Sequence, residues 1–124
     1  IPPKGIKPSW YGLIFKYNSK NANNLPTERF YEAVKAEGLV EFDHPTSTMP
    51  LNYLALFQEP WVLFLEYKKH SFSYKPGDFP KAENFYKNTF KMPVWATSFD
   101  KGVMNKYIEG IKKVLDNCNK IPNA

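Results

Sequence analysis

Asp43 and His44, followed by Ser47 and Thr48, supply the residue types of an orienting carboxylate, a base and a hydroxyl nucleophile. Residues so close in one loop seldom oppose one another in that geometry, which weighs against a free-standing hydrolase built on Asp43, His44 and Ser47. Other chemistry is sparse. His44 and His70 are the only histidines and lack the H-x-x-x-H spacing of a metal pair. Cys118 is the only cysteine, which excludes an internal disulfide and any cysteine-built zinc site; at the frayed end of the last helix it reads as partial packing. Glu28 and Glu32 share one helix face at i,i+4 and read as solvated. There is no G-x-G-x-x-G and no P-loop, so no self-contained nucleotide site. From the residues alone, the chain holds binding-loop material without a complete catalytic set.

The elements that must carry these residues follow from composition and spacing. The 124 residues, 43% hydrophobic and 23% charged, suit one globular domain. Aromatics at 17% and 11 prolines point to short elements between rigid turns. Seventeen basic against twelve acidic side chains give a net charge of +5. The lysines are scattered and Arg29 is the only arginine, so no nucleic-acid stripe is present. The longest apolar run, Trp61 to Leu65, is far below the roughly 20 residues of a membrane span. With no signal-peptide pattern, the expected location is cytoplasmic and no membrane partner is expected.

Residues 1–8 form a proline-punctuated lead-in that reads as a linker from an upstream domain, and 9–124 as the domain itself. Trp10 to Tyr17 predicts a strand whose near-continuous apolar character suggests cover on both faces. Pro26 to Glu37 predicts a helix with an apolar stripe of Phe30, Ala33 and Val34, ended by Gly38. Leu39 to Phe42 predicts a short strand, residues 43–50 an ordered loop, and Pro50 to Phe57 a helical turn. Trp61 to Tyr67 reads as a strand or an exposed aromatic arm. Gly77-Asp78-Phe79-Pro80 reads as turn, N-cap and first-turn proline, opening a helix continued by Ala82, Phe85, Tyr86 and Phe90. Residues 91–95 predict an extended piece. A final amphipathic helix starting near Asp100 is carried by Met104, Tyr107, Ile108, Ile111, Val114 and Leu115. The expected class is α+β, a small, mostly antiparallel sheet packed by helices.

Three stretches then stand in a familiar succession: Gly77-Asp78-Phe79-Pro80-Lys81-Ala82-Glu83, Lys91-Met92-Pro93-Val94-Trp95, and Tyr107-Ile108-Glu109-Gly110-Ile111-Lys112-Lys113-Val114-Leu115. They resemble the "GDFP-x-AE" run, the "LSLPMHP" strand and the closing "VIEAIKEVL" helix of the DegT/DnrJ/StrS sugar aminotransferases. Gly38-Leu39 matches that family's "GI" turn, and Met49-Pro50-Leu51-Asn52 falls where it carries "I-P-L-H". Asn52 thus stands in place of the usual histidine, Trp95 replaces the histidine of the second motif, Ser47 lies near a position often held by tyrosine, and residues 58–76 form an atypical insertion.

The resemblance implies the small C-terminal domain of a fold-type-I enzyme dependent on pyridoxal 5'-phosphate, moving an amino group from glutamate or glutamine to a nucleotide-linked keto-sugar. It implies that the Schiff-base lysine and the acid facing the pyridinium nitrogen belong to an N-terminal domain outside this chain. No lysine here is then catalytic. It implies a homodimer, and it assigns His44, Ser47, Thr48, Asn52 and Trp95 to a wall of the substrate cleft. A sugar dehydratase of the same fold is a close variant. The alternative from another class is a non-catalytic interaction or regulatory module, supported by the aromatic arm Trp61 to His70 and the replaced histidines.

Overall fold

Two local signals fix the last helix. Asp100 Oδ1 accepts a hydrogen bond from the Val103 N–H at 3.0 Å, satisfying one of the unpaired donors of the first turn. From there Tyr107 and Val114 recur seven residues apart on one buried face. The computed structural model describes residues 3–7, 12–44, 46–69, 74–94 and 100–122. Within them the chain is α+β: strands β1 (Gly12–Lys16) and β2 (Thr89–Pro93), and helices α1 (Thr27–Ala36), α2 (Ala55–Gln58), α3 (Pro80–Lys87) and α4 (Lys101–Asp116), joined by short 3-10 turns. It divides into two units, residues 1–44 with 89–124, and residues 45–88.

In the first unit β1 pairs antiparallel with β2, Gly12 opposite Pro93 and Phe15 opposite Phe90. Asp43 extends the sheet on the other side of β2, exchanging backbone hydrogen bonds with Lys91 at 2.8 and 2.7 Å. Strand alternation puts Leu13 and Phe15 on the face of Phe90 and Met92, and Ile14 on the opposite one. Phe42, Phe90, Leu25, Met92 and Val34 are the largest fully buried side chains, with Phe30 stacked on Tyr17. α1 contributes Phe30 and Val34 from one face and ends at Gly38, whose φ of +85° suits glycine.

Several expectations are corrected here. The β1 strand is not covered on both faces: Ile14 is 54% exposed, because among the described residues the core packs against one side only. Leu39 to Phe42 forms no strand. Val40 N–H donates to Gly38 O and Phe42 N–H to Leu39 O, while Glu41 N–H donates to the Tyr107 hydroxyl at 3.1 Å, so the ladder begins only at Asp43. Phe90 belongs to β2, not to the preceding helix, which stops at Lys87. Ile108 is 56% exposed, whereas Leu115, though partly exposed, lines a cavity of this unit beside Ile111.

The second unit is built differently. Among its described residues the buried ones are Asn52, Pro60 and Glu83. Its apolar side chains face outward instead, and Val62, Leu63 and Leu65 are each about two-thirds exposed. Residues 60–69 form 3-10 turns, Pro60–Val62 and Leu65–Lys69, and not a strand. Asp78 is not the N-cap of α3. Its carboxylate accepts from the Lys75 N–H at 2.7 Å, Phe79 takes the cap position without a side-chain bond, and Glu83 reaches back from inside the helix to the Phe79 N–H.

Candidate functional site

The loop expected to carry the site falls across both units, so its residues are taken with the unit that holds them. In the first unit His44 follows the Asp43 pairing and is partly buried, its ring 5.5 Å from that of Phe90 and 6.4 Å from that of Tyr31. The Asp43 carboxylate stands 3.3 Å from Lys91 Nζ. Ser47 belongs to the second unit, so no one unit assembles the Asp43, His44 and Ser47 set. Trp95, like His70, lies outside the described residues.

In the second unit Ser47 and Thr48 are exposed on the 3-10 turn Thr46–Thr48. Asn52 differs from them: it is buried, and its amide donates to Glu83 Oε1 at 2.6 Å and to Lys75 O at 3.0 Å. Pro50 starts the short turn that sets its position. Glu83 is the centre of the arrangement. Oε1 also accepts from the N–H groups of Gly77 at 2.8 Å and Phe79 at 3.1 Å, and Oε2 from the Tyr53 hydroxyl at 3.1 Å. Gly77 can present its N–H because it adopts a φ of +102°, where a side chain would be strained.

The electrostatics follow. Burial pushes the Glu83 carboxyl up, but the donors from Gly77, Phe79, Asn52 and Tyr53 outweigh it and hold the group below its ordinary range. Burial raises the Tyr53 hydroxyl, and the Glu83 carboxylate raises it further. Glu83 is therefore an ionised anchor whose two oxygens are engaged by the fold. Sequence reasoning took Asp78 for the acidic residue that mattered here. The available signal was Glu83, four residues after Phe79 on the incoming helix.

The first unit holds a cavity of about 260 Å³. Its buried lining is Tyr17, Ala22, Phe30, Phe42 and Phe90, and Lys16, Asn18 and Asn21 are its exposed polar members. Tyr17 offers a ring and not a free hydroxyl, since its O–H donates to Leu25 O at 2.8 Å; burial, with the nearby Cys118, raises that hydroxyl's pKa. No carboxylate lines this cavity. A groove between the end of α1 and α4 does carry lysines, but Lys106 and Lys113 are exposed and Lys113 is held by Glu37 at 2.7 Å. The described residues therefore do not fit pyridoxal phosphate, which needs an enclosed lysine and an acid at the pyridinium nitrogen. They also contain no cluster of histidine, cysteine and acidic side chains able to hold a metal ion, and no helix long and apolar enough to cross a membrane. In comparisons with known proteins, no family model, no curated protein and no solved structure matches the chain.

Proposed function

We propose that this chain is the small C-terminal domain of a pyridoxal-phosphate-dependent sugar aminotransferase. In this reading it supplies a wall of the cleft for a nucleotide-linked keto-sugar and contacts of a homodimer. In this reading the cofactor and its lysine are held by a domain outside this chain. The observation that carries the reading is the Asn52–Glu83 bond of 2.6 Å. It joins the two stretches that bear much of the resemblance, Met49 to Asn52 and Gly77 to Glu83, into one hydrogen-bonded structure. Sequence similarity spread over unconnected segments would not require that. In this reading the exposed Ser47 and Thr48, on the turn Thr46–Thr48, belong to the cleft wall.

A second reading, a non-catalytic interaction module, is favoured by the outward-facing Val62, Leu63, Phe64 and Leu65, which suit a protein surface. Isolation of the intact protein from its source separates the two. A chain much heavier than 14.4 kDa with absorbance at about 400–430 nm, bleached by borohydride, supports the aminotransferase. A chain of this mass without a chromophore overturns it and leaves the module.

A further inference from the structure

The outer edge of β1 is open. Asp43 and Lys91 exchange both backbone hydrogen bonds, so the N–H and C=O of Lys91 point away from β1. Those of its neighbours Phe90 and Met92 point toward β1, where their partners are Phe15 and Leu13. The N–H and C=O groups of Gly12, Ile14 and Lys16 therefore point the other way, out of the sheet. Among the described residues nothing pairs with them: β2 is the strand neighbour of β1, and none of the three makes a further backbone hydrogen bond. An edge of this kind is a template for another strand.

We propose that β1 pairs antiparallel with β1 of a second copy about a two-fold axis at Ile14, joining the two sheets into one. Ile14 then faces Ile14 as a hydrogen-bonded pair, Gly12 faces Lys16 on either side, and every outward N–H meets a carbonyl. The side chains are what single out a second copy. Ile14 is 54% exposed and Leu13 37%; Ile14 gains its own twin as cover, and Leu13 gains Phe15 of the other copy. Lys16 falls opposite a glycine, so no like charges face each other across the new pair. Lys91, the cation opposite Ile14 within the chain, is engaged by Asp43 at 3.3 Å. Centring the pair on Lys16 would instead set lysine against lysine. The pairing needs only residues 12–16 and is independent of the aminotransferase reading.

The test is sedimentation equilibrium of the intact protein between about 10 μM and about 1 mM, the range suited to so small a contact. The expected result is a dimer that grows with concentration. Position 14 faces itself, so Ile14→Lys and Ile14→Glu each set like charges together and should each weaken association on the order of tenfold. An equimolar mixture of the two variants should recover it, because lysine then faces glutamate. Ile14 is exposed, so neither substitution disturbs the core, and recovery in the mixture shows both variants folded. A monomer across the whole range overturns the proposal. Association indifferent to both substitutions also overturns it and moves the contact to another surface, such as Val62, Leu63 and Leu65. A mixture as weak as the single variants overturns the pairing about Ile14.

Discussion

Leu39 lies in a notch of α4 that only Gly110 provides: a Cβ built at position 110 would stand 2.5 Å from Leu39 Cδ1 and 3.3 Å from Cδ2. Leu39 is buried, so a carbon at position 110 would drive its tip out of a packed position. Glycine inside a helix costs about 1 kcal/mol relative to alanine. The close packing of Leu39 accounts for its presence.

Gly110→Ala should therefore destabilise despite its helix propensity. Overpacking of about 1–3 kcal/mol exceeds the propensity gain of about 1 kcal/mol, leaving a net loss near 1 kcal/mol. Leu39→Ala alone should cost about 2–4 kcal/mol. The double variant should lose less than the sum, because the clash disappears with the leucine. Urea denaturation of the four proteins measures this, and strict additivity would contradict the notch.

Phe42 and Phe90 are each about 1% exposed and touch several other rings. Phe42→Ala should cost about 3–5 kcal/mol, among the largest single effects in the chain. Phe85→Ala, at a 58% exposed position, should change stability by less than about 0.5 kcal/mol. Thermal denaturation of the two variants checks the contrast.

Asp100→Ala removes the cap on Val103 N–H and should cost about 1 kcal/mol, while Asp100→Ser should recover most of it. Circular dichroism at 222 nm, a wavelength chosen as roughly the helical minimum, follows fraying of the first turn of α4. Equal stability of the Ala and Ser variants would remove the cap from the account.

The Glu83 carboxyl titrates below its ordinary value of 4.5 in the folded chain. The unfolded chain then binds the proton first on acidification, so this contribution is complete above pH 4.5 and is lost as pH falls from there through the lowered value. Glu83→Gln should remove that acid step and lower stability at neutral pH, since a neutral amide is a weaker acceptor for the N–H groups of Gly77 and Phe79. Melting temperatures between about pH 3 and 7 give the profile; an unchanged acid limb in the variant would assign the step to other carboxylates.

The features legible from sequence are those with a local cause. The Asp100 cap, the heptad spacing of Tyr107 and Val114, and the stop at Gly38 all act within a turn or two of helix, where residue type and periodicity decide. The misread parts depend on partners far along the chain. Ile14 looks like a core strand residue until the one-sided sheet exposes it. Leu39 to Phe42 has strand composition, yet tight turns take the Val40 and Phe42 N–H groups and the distant Tyr107 hydroxyl takes that of Glu41. In the candidate loop, Asn52 was legible as a polar residue of interest. Its engagement with Glu83, 31 positions away, has no signature in local spacing. The cavity of the first unit likewise arises from the rings of Phe15, Tyr17, Phe30, Phe42 and Phe90, which no single window brings together.

A unit centred on a carboxylate, as residues 45–88 are on Glu83, has an unusual thermal signature. Heat capacity rises on opening chiefly when apolar surface is newly wetted. Here Val62, Leu63 and Leu65 are already wet in the folded chain, and the groups released on opening are N–H donors and a carboxylate. Local opening of this segment should thus proceed with a small heat-capacity increment, so that its free energy changes almost linearly with temperature. The apolar unit around Phe42 and Phe90 should instead follow the curved dome of an ordinary core.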